Sequence, residues 1–218
     1  MTPYYQDDAC TIYHGDCREI LPTLGRFDLL LTDPPYGMRL NTDNSRFSGG
    51  NVASVSRRGN GIGTGCGKPI ANDDKPFDPR FMLDCAKDKI VWGWNHFANR
   101  LDPGSCLVWI KRNDEAFGSF LSDGEVAWKS KGIGVYCNRD LSNNAIANER
   151  VHPTQKPVGL MCWCLSFFPG AETILDPFMG SGTTLVAAKL EGRRAVGIEL
   201  EEKYCEIAAN RLSQGVLF

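Results

Sequence analysis

Short apolar runs alternate with longer stretches of helical periodicity along most of this chain, the pattern of an α/β protein. Residues 27–32, FDLLLT, hold three consecutive leucines and predict a strand buried on both faces, as in a parallel sheet. Further strands are expected at Thr11–Tyr13, 89–93, 105–110, Glu125–Trp128, 172–175 and 194–199. Helical stretches span roughly 78–88, 156–167, 182–191 and 201–213. The last two alternate with strands as strand–helix–strand–helix, which reads as a βαβ unit. The expected fold class is therefore α/β with a mostly parallel central sheet.

One segment breaks the pattern. Residues 37–72 carry eight glycines among Ser, Asn and Thr, and set Arg39, Arg46, Arg57, Arg58 and Lys68 against the single acid Asp43, a local charge of +4. A connection this long without periodicity is usually functional or disordered. It is read either as a solvated insertion or as a mobile basic arm that orders on a polyanion.

Composition narrows the field. The 218 residues are 42% apolar and 23% charged, ordinary values for one globular domain carrying an insertion. Aromatic and branched aliphatic residues are too plentiful for a disordered chain. No run approaches the roughly 18 apolar residues of a membrane span. The polar, acidic start MTPYYQDDAC is unlike a signal peptide, so a cytoplasmic chain with no membrane partner is expected. Basic residues number 24 and acidic residues 26, a net charge of −2. That balance weighs against a nucleic-acid partner, although local distribution matters more than the sum. The nine cysteines include no CxxC and read as reduced, mostly buried thiols. His14, His96 and His152 show no metal-ligand spacing, so no metal site is expected.

Three motifs carry chemistry. Asp33-Pro34-Pro35-Tyr36 follows the FDLLLT strand, where ligand sites form in open α/β sheets. Two prolines remove two backbone donors and fix φ, leaving a carboxylate beside rigid carbonyls. That pair can accept both hydrogens of one amino group, and Tyr36 offers a flat face for a planar base. The second motif, Asp176-Pro177-Phe178-Met179-Gly180-Ser181-Gly182-Thr183-Thr184, lies between a strand and a helix. It has neither the lysine of a P-loop nor the third glycine of a dinucleotide fingerprint. Its glycines still let a ligand approach the backbone. Glu199 ends the next strand 19 residues after Gly180, near the spacing at which an acid holds a ribose diol. A nucleoside without a pyrophosphate is the implied ligand, and S-adenosylmethionine fits that description. The third motif, Val151-His152-Pro153-Thr154-Gln155-Lys156-Pro157, groups hydroxyl, amide and ammonium ahead of a helix, a cradle for an amino-acid carboxylate.

These motifs, with HGDC near the start, the NHF and VWIKR segments and GIEL, resemble the amino-group DNA methyltransferases that modify adenine N6 or cytosine N4. DPPY precedes DPFMGSGTT by 143 positions, which looks like the circularly permuted β-class arrangement of the Rossmann-like S-adenosylmethionine-dependent fold. The resemblance implies that Asp176, Phe178, Gly180, Ser181, Gly182 and Thr183 line the cofactor. Glu199 would hold its ribose, Asp16 its adenine amino group, and Thr154 and Lys156 would lie near its methionine part. Asp33, Pro34, Pro35 and Tyr36 would hold the target base, flipped from double-stranded DNA, with the basic 37–72 segment on the backbone. The aspartate of DPPY favours adenine, because members acting on cytosine more often carry serine there. Small solitary enzymes of phages look similar. Family members usually carry a separate target-recognition region, for which residues 111–150 offer only a compact substitute. A second subunit, as in a homodimer, would be another source. The other readings are an RNA or protein-amide methyltransferase and a non-catalytic binder on the same scaffold. Protein-glutamine enzymes favour Asn at the Asp33 position, and the intact motifs argue against decay.

Overall fold

The computed structural model describes residues 1–37, 76–118, 122–141 and 155–214. Their strands are β1 (Tyr5–Gln6), β2 (Cys10–His14), β3 (Phe27–Thr32), β4 (Ala86–Trp92), β5 (Ser105–Ile110), β6 (Gly124–Lys129), β7 (Val135–Arg139), β8 (Thr173–Asp176) and β9 (Arg194–Glu199). The helices are α1 (Cys17–Ile20), α2 (Arg80–Leu83), α3 (Trp94–Phe97), α4 (Val158–Ser166), α5 (Thr183–Leu190) and α6 (Glu202–Ser213). The strands form one sheet in the order β1-β2-β9-β8-β3-β4-β6-β5-β7. Neighbours from β2 through β4 are parallel. β6 runs antiparallel between β4 and β5, and β7 is parallel to β5 at the edge. The mostly parallel α/β sheet expected from the apolar runs is present.

β3 explains why the sheet is covered on both sides. Leu29, Leu30 and Leu31 are all fully buried, and successive side chains of a strand point to opposite faces. Leu29 and Leu31 join a core with Leu160 and Leu165 of α4, Leu185 of α5 and Ala208 of α6. Leu30 joins a second core with Ile20, Met82, Val91, Phe97, Leu175 and Ile198. The α5–β9 contact is close because of a glycine. A Cβ at Gly197 would lie 2.4 Å from Met179 Sδ and 2.9 Å from both δ-carbons of Leu185.

Two expectations change. The stretch 78–88 is not one helix: α2 stops at Leu83 and β4 begins at Ala86. Along β4, Ala86, Asp88 and Ile90 are buried while Lys87 is exposed, so a period of two overrides the helical reading. The Phe27 N–H bond to the Cys85 carbonyl, 2.9 Å, seats this start against β3. The strand then ends at Trp92 because Gly93 turns to φ +82°. β7 was not expected from the sequence. As an edge strand it leaves Val135, Tyr136 and Cys137 exposed and shows no alternation. Among the described residues no helix is long and apolar enough to cross a membrane.

Gly197→Ala is expected to destabilise the fold by about 1–3 kcal/mol through overpacking. Urea unfolding checks this, and an unchanged midpoint would mean that α5 can move off β9 freely.

Candidate active site

The parallel run brings the motif-bearing strand ends to one edge. Leu30 pairs with Leu175 across β3 and β8, Asp176 with Gly197 across β8 and β9, and His14 with Glu199 across β2 and β9. Asp33, Asp176, Glu199 and Asp16 therefore follow or end four adjacent strands at their carboxyl ends. Between the parallel strands β3 and β8 the connectivity diverges, β3 leading to β4 on one side and β8 to β9 on the other, the kind of switch point where such sheets bind ligands. Thr32 Oγ1 donates to Asp176 Oδ1 at 2.7 Å, and the same oxygen accepts from the Phe178 N–H at 3.1 Å. Asp176 thus ties the end of β3 to the glycine-rich loop. Burial pushes its carboxyl up to about 6, against the hydrogen bonds from Thr184, Thr32 and Phe178.

On the β3 side, Asp33 is held at both oxygens. The Tyr36 hydroxyl donates to Oδ1 at 2.5 Å and the Lys156 ammonium to Oδ2 at 2.5 Å. Lys156 also donates to Glu125 Oε2 at 3.0 Å, and Lys111 donates to Glu125 Oε1 at 2.7 Å. The antiparallel course of β6 makes this possible. Its N-terminal residues lie at the same edge as the carboxyl end of β5, with Glu125 paired to Trp109. The Lys156 side chain is 3% exposed and that of Asp33 is 20% exposed, so the carboxylate is reachable and its cation is not. Desolvation raises the Asp33 carboxyl; the Lys156 ammonium opposes this and Glu125 adds to it. Desolvation also opposes the Lys156 charge, yet the two carboxylates hold that ammonium well above the ordinary lysine range.

Tyr36 fits because residue 93 has no side chain: a Cβ there would lie 2.1 Å from Tyr36 Cε1. The exposed His96 ring stacks on Tyr36 with centroids 4.7 Å apart and planes 16° from parallel.

On the β8 side, the Gly180 N–H donates to Glu199 Oε2 at 3.0 Å and the Glu201 N–H to Oε1 at 2.8 Å. Desolvation raises the Glu199 carboxyl, against these backbone bonds. Gly182 caps α5 at φ +78°, where a Cβ would meet Ala208 Cβ at 2.7 Å. Phe178 sits edge-on to Phe77 at 5.4 Å. Asp16 follows β2 and caps α1, its Oδ1 accepting from the Arg18 N–H at 2.8 Å. Ser181 and Thr183 face α6, where Arg211 donates to Ser181 O at 2.6 Å, Ser181 Oγ at 3.2 Å and Thr183 Oγ1 at 3.3 Å.

The motif residues thus fall into two clusters flanking Asp176. Lys156 stands with Asp33 and Glu125. Thr154, His152, Arg39, Arg46, Arg57, Arg58 and Lys68 lie outside the described residues. Glu125, Arg211 and the stacking role of His96 had no signal of their own in the sequence. The contacts of Lys156 with Asp33 and Glu125 join residues 123 and 31 positions apart.

A parallel sheet with a rigid acidic tyrosine loop and a glycine-rich nucleoside-type loop on neighbouring strands is the architecture of a Rossmann-like group-transfer enzyme. A family model of DNA methylases matches residues 86–210. The chain is 46% identical to the Type II methyltransferase M2.LlaDCHI of Lactococcus lactis subsp. cremoris, over 99% of this chain and 94% of that protein. It belongs to the DNA methylase family. Its fold is similar to the M1.HpyAVI–SAM complex, with a TM-score of 0.59, 20% identity and coverage of 93% of this chain and 99% of that one. It is also similar to the cytosine-N4-specific PvuII DNA methyltransferase, with a TM-score of 0.61, 15% identity and coverage of 99% and 90%.

Asp176 supplies a pH signature. With its folded carboxyl raised to about 6 from 3.8, the folded state binds this proton more tightly than the unfolded chain. The associated stability, about 3 kcal/mol, is present below about pH 4 and is lost as pH rises through about 6. Asp176→Asn keeps an acceptor and removes the titration. Calorimetry from pH 4 to pH 7 should find the wild-type Tm falling relative to the variant; parallel curves would contradict this.

Proposed function

We propose that this chain is a site-specific DNA methyltransferase that moves a methyl group from S-adenosylmethionine to adenine N6 of a base flipped out of the duplex. The observation that carries the reading is the placement of Asp33 and Tyr36 at the end of β3, beside the Gly180–Gly182 loop at the end of β8.

The cofactor suits the second cluster. Glu199 presents a partly buried carboxylate at a strand end, suited to a ribose diol. Gly180 leaves the backbone partly exposed, Gly182 lets the loop pack against Ala208, and the loop carries no lysine for a polyphosphate. Glu199 would hold the ribose, Asp16 the adenine amino group, and Phe178 would flank the ring. When bound, S-adenosylmethionine supplies a methyl carbon on a sulfonium, which departs as a neutral thioether.

The chain's own residues prepare the acceptor. An exocyclic amine is a weak nucleophile because its lone pair is delocalised into the ring. Asp33 and the Pro34 carbonyl accept its two hydrogens, which favours a pyramidal nitrogen with a freer lone pair. Each Asp33 oxygen accepts one bond from Tyr36 or Lys156 and keeps a lone pair for the amine. As the nitrogen–carbon bond forms, the nitrogen becomes positive and releases one proton toward Asp33. Stacking on Tyr36 offsets part of the few kcal/mol that base flipping costs. Holding the reacting atoms about 3–3.5 Å apart supplies much of the remaining acceleration.

Adenine is preferred over cytosine on the Asp33 resemblance. Arg39, Arg46, Arg57, Arg58 and Lys68 would meet DNA phosphates, a reading tested by the salt dependence of DNA binding in an Arg57→Ala, Arg58→Ala variant. A cytoplasmic enzyme in a restriction–modification setting is the context that the Type II relative supports. A second copy of the chain would extend a recognition surface that is otherwise limited to residues 111–150.

Transfer of a tritiated methyl group to unmethylated DNA, followed by digestion to nucleosides, should yield N6-methyladenine. N4-methylcytosine alone would overturn the base assignment, and no transfer would overturn the activity. Asp33→Ala should abolish transfer while cofactor affinity holds. Glu199→Ala should weaken cofactor binding by about 1–3 kcal/mol, the loss of a charge-assisted bond. Equal weakening in both, by calorimetry, would contradict the division of roles.

A further inference from the structure

Asp33 works inside a charge cluster that the motifs do not predict. The buried Lys156 ammonium lies 2.5 Å from Asp33 Oδ2 and 3.0 Å from Glu125 Oε2, and Lys111 lies 2.7 Å from Glu125 Oε1. Two carboxylates and two ammonium groups balance. Without Glu125 the same cluster carries a net positive charge, beside a site that must accept a cationic sulfonium and an amine nitrogen becoming positive. Lys156 would also bear on Asp33 alone, and the acceptor carboxylate would hold its own ammonium more tightly than a substrate amine. Like charges interact strongly at such separations where water is excluded.

We propose that Glu125 is a positioning residue for the transfer: acting through Lys156, it shares that ammonium with Asp33 and cancels Lys111, keeping the cluster neutral and Asp33 available to the amine. The groups facing Asp33 are Tyr36 from its own loop, Lys156 from the segment before α4, Glu125 from β6 and Asp176 from β8, whose charges are felt in turn by Asp33 or Asp176. Of these, Glu125 is the one outside the sequence motifs, so its removal changes the field at Asp33 without touching a motif residue. The negative Glu125 makes Asp33 easier to protonate, so its loss moves the Asp33 titration to lower pH.

This inference rests on the methyl-transfer reading for its consequence, but its electrostatic core is measurable without turnover. The Asp33 carboxyl carbon is followed by 13C NMR, assigned by difference with Asp33→Asn, in the wild type, Glu125→Gln and Glu125→Asp. Glu125→Gln preserves shape and should lower the Asp33 midpoint by about one pH unit, whereas Glu125→Asp preserves charge and should leave it close to the wild type. An Asp33 titration that is the same in all three proteins overturns the proposal whether or not the enzyme turns over. In the methylation assay, Glu125→Gln should lose roughly ten-fold in kcat, with its acidic limb shifted the same way and the DNA KM little changed. A wild type that transfers methyl groups beside a Glu125→Gln variant of equal kcat and pH profile would sink the positioning role and leave the enzyme reading standing. A wild type that transfers none would sink the enzyme reading alone.

Discussion

Thr32 and Asp176 end neighbouring parallel strands, and the 2.7 Å hydrogen bond between them joins the two loops that any transfer here must bring together. Donor and acceptor can react only if their loops leave the sheet side by side and on the same edge. β3 and β8 meet that constraint although they lie far apart in the chain, because the intervening strands add to one side of β3 while β9 and β2 add to the other side of β8. The three buried leucines of β3 hold that strand between two cores, and the bond from Thr32 then fixes the loop that follows β8. The buried Asp176 ties the two loops together through its bonds from Thr32 and Phe178.

Charge is concentrated where burial makes it expensive. Moving an ion out of water costs several kcal/mol even after relaxation, and Lys156 is almost fully enclosed. Two carboxylates and the Trp92 ring, 5.3 Å from the ammonium, compensate for that. Such a network adds little stability over a well-packed apolar alternative; at the strand ends it holds both Asp33 oxygens in place while leaving 20% of that side chain exposed. The β8 side is quieter, with Glu199 held by the backbone N–H groups of Gly180 and Glu201.

Much of this was legible from the residues. The FDLLLT run, the βαβ pattern near the C-terminus and the motifs after 32 and 175 placed the central strands and both loops. Local pattern failed where tertiary context decides. Helical spacing over 78–88 gave way to pairing with β3, and β7 has no burial alternation to read because it is an edge. The Lys156–Glu125 contact could not be read at all, since it depends on an antiparallel strand returning Glu125 to the edge where β3 ends.

If cofactor and acceptor sites share the edge formed by β3, β8 and β9, a crystal structure with S-adenosylmethionine bound will show both there. The ribose is expected on Glu199, the adenine beside Phe178 and Asp16, and the methyl group directed toward the Asp33 carboxylate. A cofactor bound elsewhere on the sheet, or one whose methyl group faces away from Asp33, would contradict it.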